Sequence, residues 1–151
     1  MKTLDLYKWI AGSKSDFLRT FQNEDLDENP LLNQATSFWN HLESSGIVII
    51  AIFAILGIAL AFIYYGPYNN KPGHHYRPAH WIGFWICTFI VTFLFTWGIE
   101  AIMVKPKLDG ASMLEMKIAL GNAVYAFALF LLTSIIWCMA LPTNAYRLFK
   151  F

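Results

Sequence analysis

Charge is scarce in this chain of 151 residues: Asp, Glu, Lys and Arg make up 14%, and across residues 46–65, 81–104 and 118–141 Glu100 alone represents them. Stretches of that length without charge exclude solvated surface helices and point to lipid as the solvent. Cysteine is nearly as rare. Cys87 and Cys138 lie inside those stretches with no CxxC or metal-ligand spacing, which excludes a disulfide scaffold and leaves two small buried hydrophobes. Catalytic signatures are missing as well: there is no HExxH, no Gly-x-Ser-x-Gly elbow, no Walker loop and no dinucleotide fingerprint, so no enzyme is expected. No histidine falls in the three stretches, which argues against bis-histidine haem ligation within a bilayer, and no cofactor is expected. An excess of one charge is lacking too. With 11 basic and 10 acidic residues the net charge is +1, so neither a nucleic-acid partner nor long-range electrostatic steering follows.

A cleaved leader is not expected either, because the first 45 residues are polar and the first long apolar run starts only at Gly46. Lipidation motifs are absent: Lys2 replaces the glycine of a myristoylation site, and Leu148-Phe149-Lys150-Phe151 lacks a prenylated cysteine.

What is present is hydrophobicity. Apolar residues reach 57%, against about 45–50% in soluble domains. At 1.5 Å per residue the shortest run, 20 residues, covers about 30 Å, the thickness of a bilayer's hydrocarbon core. The pattern predicts an all-α integral membrane protein with three transmembrane helices, 46–65, 81–104 and 118–141, preceded by two amphipathic helices. Tyr7, Ile10, Ala11, Phe17, Leu18 and Phe21 recur at helical spacing over residues 4–21, with Gly12-Ser13 as the point of interruption. The acidic residues Glu24, Asp25, Asp27 and Glu28 form a solvated linker, since they lack the glycine and the twelfth-position glutamate of a calcium loop. Asn29-Pro30 supplies a cap and a first helical residue for a second helix, 30–44, whose apolar face is Leu31, Ala35, Phe38, Trp39 and Leu42.

The connections carry turn chemistry. Residues 66–80 are rich in Pro, Gly, His and Tyr, and Tyr64, Tyr65, Tyr68, Tyr76, Trp81 and Trp85 cluster there as an aromatic belt. His74, His75 and His80 lack the companions of a four-ligand set, so no metal site is assigned. In residues 105–117, Asp109-Gly110 turns and Ser112 with Glu115 reads as a capping box. Residues 142–151 form a C-terminal tail. Counting Lys and Arg near the spans favours the N-terminus on the cytoplasmic side of a bacterial inner membrane.

Two patterns stand out as candidate sites. Thr88, Thr92, Thr96 and Glu100 fall four apart, a ridge inclined by about 26° to the helix axis, and such a row on a tilted span could line a pore. The plainer alternative has each threonine bonding one turn back and Glu100 reaching the interface near Lys105. In the third span Ala119, Ala126, Thr133 and Ala140 are seven apart, with Asn122 on the same heptad face, and Ala54, Gly57 and Ala61 in the first span offer a matching small-residue face. That seam serves either packing within one subunit or contact between subunits.

Three helices are too thin to enclose a water-filled path alone, so a transport role requires a symmetric homo-oligomer. The expectation is therefore a homo-oligomeric pore or ion channel in the lipid bilayer, gated through its N-terminal helices. By architecture alone it resembles the small membrane effectors with which some bacterial anti-phage systems depolarise the cell. The alternative is a non-conducting anchor or assembly subunit whose N-terminal helices dock a soluble partner or ligand.

Overall fold

The computed structural model describes residues 3–22, 30–69, 77–105 and 107–141, and these are helical with no strand among them. The acidic linker, His74, His75, Asn29 and the tail 142–151 lie outside the described residues.

Small local signals set the N-terminal breaks. A 3₁₀ turn, Thr3–Tyr7, runs into a one-turn helix α1, Lys8–Ala11, which stops at Gly12 because that residue takes φ +81°, a conformation glycine adopts without steric cost. Ser13 then starts α2, Lys14–Arg19, with a capping box: the Asp16 N–H donates to Ser13 Oγ (3.2 Å) and the Ser13 N–H donates back to Asp16 Oδ2 (3.0 Å). The Ser13 hydroxyl, which donates to Asp16 Oδ2 (2.6 Å), and then the Ser13 N–H hold the Asp16 carboxyl below its ordinary range. The capping box expected at Ser112 and Glu115 does not form. Ala111 is the N-cap there and Ser112 is already the first helical residue, so the motif sits one position out of register.

Helix α3, Pro30–Ser44, buries Ala35, Phe38, Trp39 and Leu42, while Leu31 at its start stays exposed. Phe17 of α2 lies against Phe38 and Trp39, with ring centroids 6.0 and 5.6 Å apart. After Ser45 come three helices long and apolar enough to cross a membrane: α4, Gly46–Ile63, continued by a π-turn through Pro67 to Tyr68; α5, Pro78–Met103; and α6, Ser112–Ala140. Proline lacks an N–H to close the α-helical ladder, which fits the widened turn at Pro67.

Helix α6 packs against both α4 and α5. One apolar cluster closes each end of the bundle. At the first end Leu4, Tyr7, Phe38, Leu42, Val104 and Leu114 meet, so the N-terminal helices and the connection after α5 share one side. At the other, Tyr64, Tyr65, Trp81 and Phe130 meet, and Trp85 stacks on Phe127 with centroids 3.7 Å apart while its indole N–H donates to the Phe127 carbonyl (3.0 Å). The outer faces of all three helices are apolar and exposed, Ile55, Phe62, Ile90, Leu94 and Ile136 among them, a surface that needs lipid or other protein to cover it.

The small-residue seam takes a different course from the one the heptad suggests. Ala119, Asn122 and Ala126 are fully buried, but Thr133 is only half-buried and Ala140 is exposed. A straight helix drifts about 20° per heptad, so a seven-residue row leaves the contact within two repeats. Burial follows instead the spacing of four from Ile118 through Asn122, Ala126, Phe130 and Ser134 to Cys138. On α4, Gly57 and Ala61 are buried and Ala54 is half-buried. Gly57 sets the approach: a Cβ there would lie 3.0 Å from the Ala126 carbonyl oxygen and 3.1 Å from Leu129 Cβ.

This contact predicts that Gly57→Val lowers stability by about 1–3 kcal/mol, the usual range for overpacking a filled interior. Gly83→Ala, inside α5 with open space around it, raises stability by up to about 1 kcal/mol, because alanine gives up less backbone freedom in a helix. Denaturant unfolding of the purified protein in micelles, followed by circular dichroism, checks both.

Candidate functional site

The row on α5 turns inward. Thr88, Thr92 and Thr96 are 0% exposed and Glu100 is 1% exposed, so they face the other helices of the same chain. The twelve helical steps from Thr88 to Glu100 span about 18 Å, more than half of a hydrocarbon core. Phe84 and Trp81 continue the row at one end and Val104 at the other, which leaves the hydroxyls and the carboxyl between two apolar seals.

Each polar atom in the row has a different fate. Thr88 Oγ1 donates to the Phe84 carbonyl one turn back (2.8 Å), the local arrangement typical of helix threonines. Thr96 Oγ1 instead accepts from Asn122 Nδ2 on α6 (2.7 Å). The same Asn122 amide donates to the Ile49 carbonyl on α4 (3.0 Å), and Asn122 Oδ1 accepts from the Tyr7 hydroxyl (2.7 Å). Thr92 Oγ1 and both oxygens of Glu100 are buried with no hydrogen-bond partner among the described residues. The two site patterns therefore meet within one chain: Thr96 of the row bonds to Asn122 of the seam.

Tyr7 is the member that periodicity did not single out. On the sequence it is one more residue of an apolar face, yet here it is 0% exposed with its hydroxyl inside the bundle. Burial, helped by the negative field of Glu100 and then by Tyr125, holds its phenol far above the ordinary range, so Tyr7 stays a neutral donor to Asn122. Tyr125 supports it from α6. Its ring meets Tyr7 edge-on at 5.8 Å, its hydroxyl donates to the Leu6 carbonyl (2.6 Å), and it accepts from Trp9 Nε1 (2.8 Å).

Glu115 is a second buried carboxyl, 6% exposed on the first turns of α6 and close enough to act electrostatically on Glu100. Nothing in its local sequence separates it from a surface residue near a helix start. Of the loop histidines only His80 is described, and its Nδ1 shares a 3.1 Å hydrogen bond with the Tyr68 hydroxyl. Among the described residues no group of three His, Cys, Asp or Glu side chains could hold a metal ion.

The site thus leaves polar groups unpaired. Both Asn122 amide hydrogens and the Tyr7 hydroxyl hydrogen are committed, whereas the Thr92 hydroxyl and the Glu100 carboxyl have no partner among the described residues. What this arrangement can do chemically is receive a cation or a proton.

The Tyr7 and Asn122 pair makes a stability prediction. Asn122→Leu strands the buried Tyr7 hydroxyl and costs about 1–3 kcal/mol. In the double variant with Tyr7→Phe the loss is less than the sum of the two single losses, because the stranded hydroxyl is gone as well. A double-mutant cycle by denaturant unfolding in micelles measures the coupling. No family model matches this chain, and no curated protein or solved structure is detectably similar to it.

Proposed function

We propose that this chain is the subunit of a homo-oligomeric membrane pore for small cations, and that the arrangement described above is its closed state. One observation carries the reading: a row of hydroxyls ends in a buried carboxyl whose two oxygens have no partner among the described residues. A charged side chain within a spanning helix is costly, so groups of this kind mark ion or proton pathways by default. A ring of carboxylates contributed by several copies selects for positive charge and repels anions.

Closed, the row is sealed between the two apolar clusters. Opening parts α5 from α6 and turns the row toward water shared among copies, since three helices do not enclose a continuous path alone. The exposed apolar faces of α4, α5 and α6 are then the surfaces on which copies and lipid meet. In a bacterial inner membrane such an opening would dissipate the membrane potential, the depolarising role that the architecture suggests.

The second reading, a non-conducting anchor that docks a soluble partner, draws on a groove of about 710 Å³ at the N-terminal end. Lys8, Trp9, Phe17, Phe21, Met113 and Lys117 line it, a mixture suited to a protein or peptide ligand.

Cation and anion flux from proteoliposomes separates the two. Under the pore reading Glu100→Gln lowers the preference for cations, and Thr92→Val lowers flux while the preference is kept. Absence of flux in every variant and every oligomeric state overturns the pore reading in favour of the anchor.

A further inference from the structure

The N-terminal segment is seated in the bundle by features of α4 and α6. Two glycines make the room. A Cβ on Gly46, the first residue of α4, would fall 2.1 Å from Thr3 Oγ1, and a Cβ on Gly121 would fall 3.0 Å from the Tyr7 ring and 3.2 Å from Ile10 Cγ2. Neither glycine takes a positive φ, so the missing side chain is needed for space and not for backbone conformation. Polar contacts then fix the segment at three depths: Thr3 Oγ1 donates to the Glu43 carbonyl (3.1 Å), Tyr125 donates to the Leu6 carbonyl, and Tyr7 reaches Asn122.

The seat is specific, and the segment holds its shape only while seated. A 3₁₀ turn and a four-residue helix are too short to be stable in isolation, so their structure depends on docking. Their outer side is uncovered, with Trp9 57% exposed, and Gly12 at φ +81° stands as a hinge between them and the capped helix α2. The segment also approaches the polar row at a sensitive point. Tyr7 occupies the Oδ1 atom of the one residue, Asn122, whose amide holds Thr96 and Ile49 together.

We propose that residues Thr3–Ala11 are a releasable plug: seated on Gly46 and Gly121, they insert Tyr7 against Asn122 and keep water out of the row that ends at Glu100. Release swings the segment away about Gly12 and admits water beside Thr92 and Thr96. The effect of release on conduction rests on the pore reading above, whereas its effect on water access does not.

Two readouts therefore test it in the full-length chain in proteoliposomes. The first is labelling of Thr92→Cys by a water-soluble thiosulfonate, with Cys87 and Cys138 changed to alanine. Tyr7→Ala removes the plug's side chain and Gly121→Leu fills its seat, and each raises the labelling rate by about tenfold or more, in proportion to the unplugged population. Unchanged labelling in both variants overturns the plug. The second readout is cation flux in Trp9→Cys with Lys117→Cys, two exposed positions that line the same groove, again without the native cysteines, where a reducible bis-thiosulfonate cross-linker ties the segment to α6. Flux falls on cross-linking and returns on reduction if the plug gates the pore. Flux that ignores a cross-link verified by mass spectrometry overturns the plug as a gate and leaves the pore reading intact. Labelling that rises in both variants while no variant conducts supports the plug and overturns the pore.

Discussion

One amide holds this molecule's interior in register. Asn122 is fully buried on α6, donates to a backbone carbonyl of α4 and a hydroxyl of α5, and accepts from a tyrosine of the N-terminal segment. Hydrogen bonds between membrane helices contribute modestly, roughly 0.6 kcal/mol each, so their main effect is geometric. An apolar seam tolerates sliding and rotation, because one methyl group packs much like another. A side chain with two donors and one acceptor pointing at three elements tolerates little of either, and it fixes which face of α5 looks inward.

That choice of face creates the central tension of the fold. Turning Thr88, Thr92, Thr96 and Glu100 inward satisfies Thr96 through Asn122 and Thr88 through its own backbone, but it buries Glu100 with nothing to donate to it among the described residues. Turning the row outward would set a carboxyl against lipid, which is no cheaper. The apolar clusters at the two ends make the inward choice tenable by keeping the polar middle short and sealed. The seal at the Glu100 end includes Leu4 and Tyr7 from the N-terminal segment, so a segment of nine residues bears directly on that end of the polar row.

Some of this was legible in the residues themselves. The inward row was visible as a spacing of four, because a spacing of four on a helix is one ridge whatever surrounds it. The small-residue seam was only half visible: Ala119, Asn122 and Ala126 lie in it, but the heptad extension to Thr133 and Ala140 assumed a supercoil that a short tertiary bundle does not impose. Local capping was read with mixed success for a similar reason. Ser112 and Glu115 carry the right letters, but the turn at Asp109-Gly110 starts the helix one residue earlier, and the box that does form, at Ser13 and Asp16, is a Ser-x-x-Asp variant of the usual pattern.

Three helices long and apolar enough to cross a membrane follow from the residues alone, since transfer into hydrocarbon is a local property summed residue by residue. The same residues mark Glu100 as the lone charge within the apolar stretches 46–65, 81–104 and 118–141. Only the tertiary structure decided what that charge faces, and only it brought Tyr7 to Asn122, two residues 115 positions apart in sequence. Helical periodicity reports which residues share a face but not which neighbour that face meets, because the rotation of each helix is set by contacts with distant parts of the chain.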